Sequence, residues 1–157
     1  LKKLPIAVLT ADCVPVLLYE NEKKMVAVIH AGWKGAVKGI ISKVISFMKK
    51  KGCKTNVITA AVGPSIAQKS YEVKDDFKKK FLKKDKRNNI FFKERNTQIY
   101  FNLPKYVKSQ LKLMKISKIE TLNIDTFDKK NNFFSARQSL NSNHDDYGRN
   151  ISVIMIN

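Results

Sequence analysis

Short apolar runs alternate with polar turns at the start of the chain. β-Branched and other apolar side chains fill residues 6–10, 14–19 and 25–29, and the polar turn 20–24 separates the last two runs. Apolar runs of this length, bounded by turn residues, are typical of buried strands. We therefore expect three strands before residue 30.

The hydrophobic period changes to that of a helix after Gly35. Apolar residues on one predicted face are Val37, Ile40, Ile41, Val44, Ile45 and Met48. Gly52 follows three lysines, and a glycine in this position commonly ends a helix. The pattern predicts a single helix between Gly35 and Gly52.

Strands and helices continue to alternate along the rest of the chain. Strands are predicted at 56–62, 90–92, 98–101, 118–124 and 151–156, with a polar loop at 93–97. Phe77, Phe81 and Leu82 predict a helix in a charged stretch. Asn102 predicts the start of another helix, with Pro104 in its first turn and Tyr106, Val107, Leu111 and Met114 facing inward. We expect one mixed α/β domain over residues 1–157.

A long polar segment, residues 125–150, separates the last two predicted strands. It contains Arg137, His144, Gly148 and Arg149, and it is interrupted by Phe133-Phe134. A loop of this length inside a compact domain is usually functional or mobile.

The composition is that of a folded globular domain, with 43% hydrophobic and 28% charged residues. No apolar run approaches the ~18 residues that cross a bilayer, and residues 1–5 lack the apolar core of a signal peptide. A cytoplasmic location is the default expectation. The chain lacks an initiator methionine and a strand-like run begins at Ile6, so we expect an N-terminal segment to be missing.

The net charge of +18 is the most extreme bulk property of the chain. Such an excess attracts polyanions, and nucleic acid is the obvious candidate. The charge is mostly lysine, however, and its runs lie at helix ends or on polar helix faces. No arginine–aromatic interleaving accompanies it, so a solvated surface is favoured over a nucleic-acid or membrane footprint.

Cys13 and His30 are the residues most suited to chemistry, because each stands at the end of an apolar run. If these strands are neighbours, both side chains project at one rim of the sheet. A thiolate and an imidazole are good zinc ligands, and zinc would lower the pKa of a bound water to about 7. Alternatively, His30 activates Cys13 as a nucleophile, or both residues only pack. Cys13 and Cys53 are too few for a disulfide scaffold, and the sequence alone leaves a single bridge between them open.

Four ordered motifs carry a family resemblance over nearly the whole chain. They are Thr-Ala-Asp-Cys-Val-Pro-Val-Leu-Leu (10–18), His-Ala-Gly-Trp-Lys-Gly (30–35), Gly-Pro-Ser-Ile (63–66) with Tyr-Glu-Val (71–73), and Phe-Phe-Ser-Ala-Arg (133–137) with Tyr-Gly-Arg (147–149). Together they closely resemble the YfiH family, also called multicopper polyphenol oxidase or laccase-domain proteins and purine nucleoside phosphorylase family proteins.

The resemblance implies an αββα-type sandwich and a zinc ion held by Cys13 and His30. The third family ligand is a histidine upstream of Ala-Asp-Cys, and no residue here corresponds to it. His144 could replace it only if the polar segment folds back over the site. The implied activities are phosphorolysis of adenosine, inosine, guanosine or methylthioadenosine, and deamination of adenosine. The implied partners are therefore a purine nucleoside and phosphate.

Further site roles follow from the same motifs. Asp12 is a candidate proton shuttle or a residue that holds its turn together. Arg137 and Arg149 are candidate phosphate ligands because a guanidinium fork matches phosphate geometry, although they could instead pair with Asp145, Asp146 or helix C-termini. Ser65 either meets the ligand in its turn or only shapes that turn. Trp33 either stacks on a purine or packs in the core.

Composition and motifs exclude several sharper assignments. A multicopper oxidase needs about ten histidines to hold its copper centres, and the sequence contains two. A cytidine-deaminase zinc motif and a Gly-x-Ser-x-Gly elbow are both absent. Three classes remain: the zinc-dependent purine nucleoside enzyme, a metal-free Cys-His hydrolase or peptidoglycan-editing factor, and a basic nucleic-acid-binding module.

Overall fold

The computed structural model describes residues 3–144 and 146–157. The strands are β1 (Ile6–Thr10), β2 (Val14–Glu20), β3 (Met25–Ala31), β4 (Ile58–Val62), β5 (Glu72–Val73), β6 (Phe92–Arg95), β7 (Gln98–Phe101), β8 (Lys118–Thr121) and β9 (Asn150–Ile154). The helices are α1 (Trp33–Val37), α2 (Ile40–Lys50), α3 (Asp75–Lys84), α4 (Leu103–Leu113) and α5 (Ala136–Asn141). The predicted mixed α/β class is confirmed.

The central sheet has the strand order β3-β2-β4-β8. Strand β2 runs antiparallel to both β3 and β4, and β4 runs parallel to β8. Val14, Val16 and Leu18 of β2 are fully buried in the core cluster that includes residues of α2 and α4. The helices therefore cover this face of the sheet.

A two-stranded ribbon of β1 and β9 packs against β2 and β3. Leu17, which alternates away from the helix side of β2, lines a cavity together with Ser152 of the ribbon. The molecule is thus layered, with helices on one face of the central sheet and the ribbon on the other. Strands β5, β7 and β6 form a third, small sheet.

The prediction of a single helix between Gly35 and Gly52 was wrong. Two helices, α1 and α2, occupy this stretch, because Gly39 adopts a left-handed conformation with φ of 82°. That conformation interrupts a right-handed helix, and glycine reaches it without a steric penalty. The predicted stop is confirmed, since α2 ends before Gly52, whose φ is 88°. The predicted inward face of α2 is buried at Ile41, Ile45 and Met48.

Several strand bounds also differ from the prediction. A 3₁₀ helix (Thr55–Val57) precedes β4, and a second one (Lys86–Phe91) takes the first part of the strand predicted at 90–92. The polar residues predicted as a loop at 93–97 instead begin as strand β6. Backbone pairing with β7 explains this, because an edge strand needs no apolar side chains to form its ladder.

The long polar segment is more ordered than its composition predicted. Helix α5 lies within it, and the Ser135 side chain caps this helix by accepting a hydrogen bond from the Gln138 amide at 3.2 Å. The predicted cap of α4 is confirmed in the same way, since Asn102 accepts from the Lys105 amide at 2.9 Å. The segment therefore has fixed attachment points beside the core.

Aromatic rings link α3 and β7 to the start of α1. Phe81 is fully buried and lies with its ring centroid 4.9 Å from that of Phe77 and 4.6 Å from that of Phe101. Phe77 in turn lies 4.9 Å from the Trp33 ring. The aromatic cluster therefore packs against one side of the Trp33 ring.

In the described residues, no helix combines the length and apolar character that crossing a bilayer requires.

Candidate functional site

The structure brings Cys13 and His30 together through the antiparallel pairing of β2 and β3. Cys13 directly precedes β2, and His30 is the penultimate residue of β3. In the register, Val14 faces Ala31 and Pro15 faces His30. The start of one strand therefore lies beside the end of the next. The sequence made this meeting conditional on the strands before Cys13 and His30 being neighbours. Strand β1 packs against β3 but pairs with β9, so the pairing of β2 with β3 brings the two residues together.

Gly32 provides the space in which the two side chains meet. A Cβ atom placed on Gly32 would lie 2.9 Å from Cys13 Sγ and 3.9 Å from His30 Nε2. The sulfur and the imidazole nitrogen thus face the same volume above the Gly32 backbone. Cys13 is half-buried and His30 is exposed, so the pair is reached from solvent.

The thiol of Cys13 is suited to a cation and less suited to act as an isolated nucleophile. Burial, and then the negative charge of Asp12, raise the pKa of the Cys13 thiol above its usual range. The thiol therefore keeps its proton unless a nearby cation favours the thiolate. One sulfur and one imidazole nitrogen match the donor preference of zinc.

The pair stands without a third donor among the described parts of the chain. In residues 3–144 and 146–157, no group of three His, Cys, Asp or Glu side chains could hold a metal ion. His144 is exposed, and its amide bonds the Ser139 carbonyl at 2.9 Å. The polar segment does not bring His144 to the pair, so the condition for its replacing the third ligand is not met.

Asp12 directly precedes Cys13, and its side chain is hydrogen-bonded to Thr126 and to the start of α5. Its backbone is in the left-handed region, with φ of 76°, and its side chain is buried. Oδ1 accepts a hydrogen bond from Thr126 Oγ1 at 2.7 Å. Oδ2 accepts from Ser135 Oγ at 3.0 Å and from the Arg137 amide at 2.7 Å. These contacts favour the turn-holding interpretation of Asp12.

A cavity of about 270 Å³ opens beside Cys13. Its lining residues are Ala11, Asp12, Cys13, Trp33, Ile66, Tyr71, Leu103, Ala136, Arg137 and Leu140. Most of the wall is apolar, and the polar groups are few, which is the usual composition of a small-molecule site. Burial, and then the nearby Cys13, raise the pKa of Tyr71 to about 12. The Tyr71 phenol is therefore a hydrogen-bond donor at neutral pH.

A second cavity, of about 420 Å³, adjoins the first. The two share Trp33, Tyr71 and Arg137 as lining residues. Lys74 and Lys80 add positive charge to the second cavity, and Lys80 Nζ pairs with Asp76 at 3.2 Å. The combined cleft runs from an apolar end at Cys13 to a charged end at α3.

Arg137 and Trp33 are the predicted substrate residues that the structure brings to this cleft. Arg137 donates from NH1 to the Glu72 carbonyl at 2.9 Å, and its guanidinium lies 5.4 Å from the Tyr71 ring centroid. Trp33 packs on Phe77 with one part of its surface while it lines both cavities. Trp33 therefore both packs in the core and lines the cleft, and Lys34 Nζ and Lys80 Nζ lie 5.6 and 5.7 Å from its ring centroid.

Arg149 and Ser65 are not among the described lining residues of either cavity. Arg149 is exposed, and its guanidinium lies 4.0 Å from the Tyr147 ring centroid. Ser65 is 4% exposed and pairs through its backbone with residues 124 and 126. Asp145, one suggested partner of the arginines, lies outside the described residues.

Close packing at Gly148 places the Tyr-Gly-Arg segment (147–149) against the Phe-Phe-Ser-Ala-Arg segment (133–137). A Cβ on Gly148 would lie 2.5 Å from an atom of the Phe134 ring. Asn150 also bonds both the amide and the carbonyl of Phe134, at 2.9 and 2.8 Å. The motif that ends in Arg149 therefore packs on the motif that carries Arg137, and only Arg137 reaches the cleft.

Sequence reasoning did not assign Tyr71, Ile66, Leu103, Leu140, Lys74 or Lys80 to the site. Tyr71 could have been found, because it stands in the Tyr-Glu-Val motif. Ile66 could have been found in the same way, because it stands in the Gly-Pro-Ser-Ile motif. Leu103 and Leu140 carried no signal of their own, since each looks like an ordinary apolar position. Lys74 and Lys80 could not be told apart from the many other lysines.

Comparison with known proteins places the fold and these motifs in one family. A family model described as multi-copper polyphenol oxidoreductase laccase matches residues 1–157. A purine nucleoside phosphorylase of Rickettsia conorii is 39% identical over 152 residues, which cover 96% of this chain and 62% of that protein. An adenosine deaminase from an unknown prokaryotic organism is 43% identical over 83 residues, covering 53% of this chain and 32% of that protein.

A solved structure agrees with these sequence matches. The hypothetical protein YfiH of Bacillus licheniformis superposes with a TM-score of 0.88 at 26% identity, over 100% of this chain and 59% of its own. The chain therefore spans less than two thirds of the length of these full-length relatives. With the whole of its sequence matched by the family model and its fold shared with YfiH, the chain belongs to the YfiH family of laccase-like proteins.

Proposed function

We propose that this protein is a zinc-dependent purine nucleoside enzyme. Its reactions would be phosphorolysis of adenosine, inosine, guanosine or methylthioadenosine, and deamination of adenosine. The observation that carries the proposal is the meeting of Cys13 Sγ and His30 Nε2 above Gly32, where Cys13 also lines the apolar cavity. Relatives named as purine nucleoside phosphorylase and adenosine deaminase support the choice of substrate class.

Cys13 and His30 are the residues that would hold zinc. Catalytic zinc usually takes three protein ligands, and it supplies a bound water whose pKa is lowered to about 7. The described residues contribute two such ligands, one sulfur and one nitrogen. The raised pKa of the Cys13 thiol means that the thiolate needs a positive charge beside it, which a bound zinc ion would supply.

The other lining residues would bind and orient the substrates. The Trp33 ring offers a flat apolar surface for a purine. The protonated Tyr71 phenol donates a hydrogen bond to a ring nitrogen or a ribose oxygen. Arg137 uses one donor on the Glu72 carbonyl and retains others for phosphate. Ile66, Leu103 and Leu140 exclude water around them.

A cytoplasmic location belongs to the same proposal. Cys13 and Cys53 are free cysteines, and free thiols stay reduced in the cytosol. A zinc-binding thiol requires that reduced state.

The proposal is tested by incubating the purified protein with each of the four nucleosides, with and without phosphate. We expect free purine base only in the presence of phosphate, and inosine from adenosine in its absence, with the products separated by chromatography. Elemental analysis of the same sample is expected to find zinc.

Two other results would point to the other classes. Fast labelling of Cys13 by iodoacetamide with no effect of chelators would favour the metal-free hydrolase. Nucleic-acid binding with a steep salt dependence, unaffected by substitution of Cys13 or His30, would favour the basic binding module.

Gly32→Ala is expected to displace zinc without unfolding the protein. The new Cβ would lie 2.9 Å from Cys13 Sγ, which is closer than real Cβ contacts allow. The backbone of Gly32, with φ of −72° and ψ of 162°, suits alanine. The steric effect of the new Cβ is therefore confined to the space between Cys13 Sγ and His30 Nε2. We expect zinc content and nucleoside turnover to fall at least ~10-fold, the scale of other perturbations around metal ligands.

Gly35→Ala is the matched control. Its Cβ would meet Ile40 Cγ2 at an ordinary 3.7 Å, within a helix that favours alanine by up to about 1 kcal/mol. Full zinc content in both variants would contradict the assignment of the metal to this volume.

A further inference from the structure

We propose that Asp12 is a positioning residue that sets where Cys13 and Arg137 stand relative to each other in the 270 Å³ cavity. The chain connects Asp12 directly to Cys13 on one side. On the other side, Asp12 Oδ2 holds the amide of Arg137 at 2.7 Å. One carboxylate thereby links the proposed metal ligand to the proposed phosphate ligand.

The carboxylate is fixed from several directions. Its donors Thr126 and Ser135 are 1% and 3% exposed, and Asp12 itself is 8% exposed. They come from positions 114 and 123 residues further along the chain. The Ile66 amide also donates to the Asp12 carbonyl, at 3.1 Å. Hydrogen bonds to a buried charged group are among the strong ones, so the turn has little freedom.

The same contacts explain why aspartate suits this position. Oδ1 and Oδ2 together accept three hydrogen bonds, which an amide side chain with one oxygen cannot match. Asp is also among the few residues that tolerate the left-handed backbone found here. With both oxygens engaged by protein donors, the carboxylate works through its neighbours and not by carrying protons.

Thr126→Val tests this role while leaving the carboxylate and its charge in place. Valine keeps the shape of threonine and removes the Oγ1 donor to Asp12 Oδ1. We expect kcat/KM for phosphate to fall ~10- to 100-fold, the scale of an ångström misplacement, with the shape of the pH profile unchanged. The rate of Cys13 alkylation by iodoacetamide, resolved from Cys53 by peptide mapping, is expected to change about threefold or more because rate follows access.

Thr121→Val is the matched control, since Thr121 Oγ1 is buried with no described hydrogen-bond partner. We expect it to leave both readouts unchanged. Ser135→Ala removes the other hydroxyl donor and serves as a second measurement if Thr126→Val does not fold.

The outcomes separate positioning from proton transfer. Loss confined to Asp12→Asn, with Thr126→Val and Ser135→Ala both unchanged in kcat/KM and alkylation, would overturn the inference in favour of a proton-carrying carboxylate. The turnover readout rests on the proposed function, whereas alkylation of Cys13, compared between native protein and variants both with and without a chelator, does not. If the native protein turns over no nucleoside, an altered alkylation rate still supports the inference and an unaltered rate overturns it.

Discussion

Cys13→Ala is expected to abolish nucleoside turnover, by ~10³-fold or more, and to remove bound zinc. The substitution deletes the sulfur donor and leaves His30 as the one described protein ligand at the proposed metal volume. Losses of this size are typical when a central member of a catalytic group is removed. His30→Ala is expected to give the same result, because a single remaining side chain holds zinc poorly. Activity assays with elemental analysis of each variant check both expectations.

Cys53→Ala separates loss of the site cysteine from loss of any cysteine. Cys53 is buried after α2, and its Sγ lies 3.6 Å from Met25 Sδ. We expect this variant to keep zinc and activity, with only a modest loss of stability. Full activity in Cys13→Ala would eliminate the metal-dependent proposal.

Phe81→Ala is expected to destabilise the fold far more than any of the substitutions at the Cys13 and His30 site. The ring is fully buried between Phe77 and Phe101, and a cavity of this kind costs about 3–5 kcal/mol. At ~2–4 °C per kcal/mol for a domain of this size, the Tm should fall by roughly 10 °C. Trp33 would also lose part of its support, so its fluorescence should change before unfolding.

Phe47→Ala is the control for removing an aromatic ring. Phe47 is 57% exposed on α2, and substitutions at such surface positions usually stay within about 0.5 kcal/mol. Denaturant unfolding monitored by circular dichroism compares the two variants. Equal midpoints would contradict the central place of the aromatic cluster in the core.

Local patterns predicted most elements because their causes are local. Continuous apolar runs predicted β1 to β3, and Asn102 predicted the start of α4. The break at Gly39 could not be predicted in this way, since hydrophobic periodicity continues across it and carries no information about a backbone angle.

The site shows the same division. Cys13 and His30 stood out by residue type, but their meeting depends on the pairing of β2 with β3, a choice that sequence spacing left open. Arg137 and Arg149 carried equal weight as motif residues. Only packing, in which Gly148 lies on Phe134, decides that one faces the cleft and the other faces solvent.

The ribbon of β1 and β9 imposes an order of events on synthesis. Ile6 pairs with Ile154, so the strand that leads into Cys13 waits for a segment that is made 148 residues later (154 − 6). The donors to Asp12 also emerge more than a hundred residues after it. Long-range closure of this kind slows folding. When Cys13, His30 and the whole of β2 and β3 have been made, the residues that hydrogen-bond to Asp12 are therefore still missing. Cys13 cannot yet be aligned with Arg137.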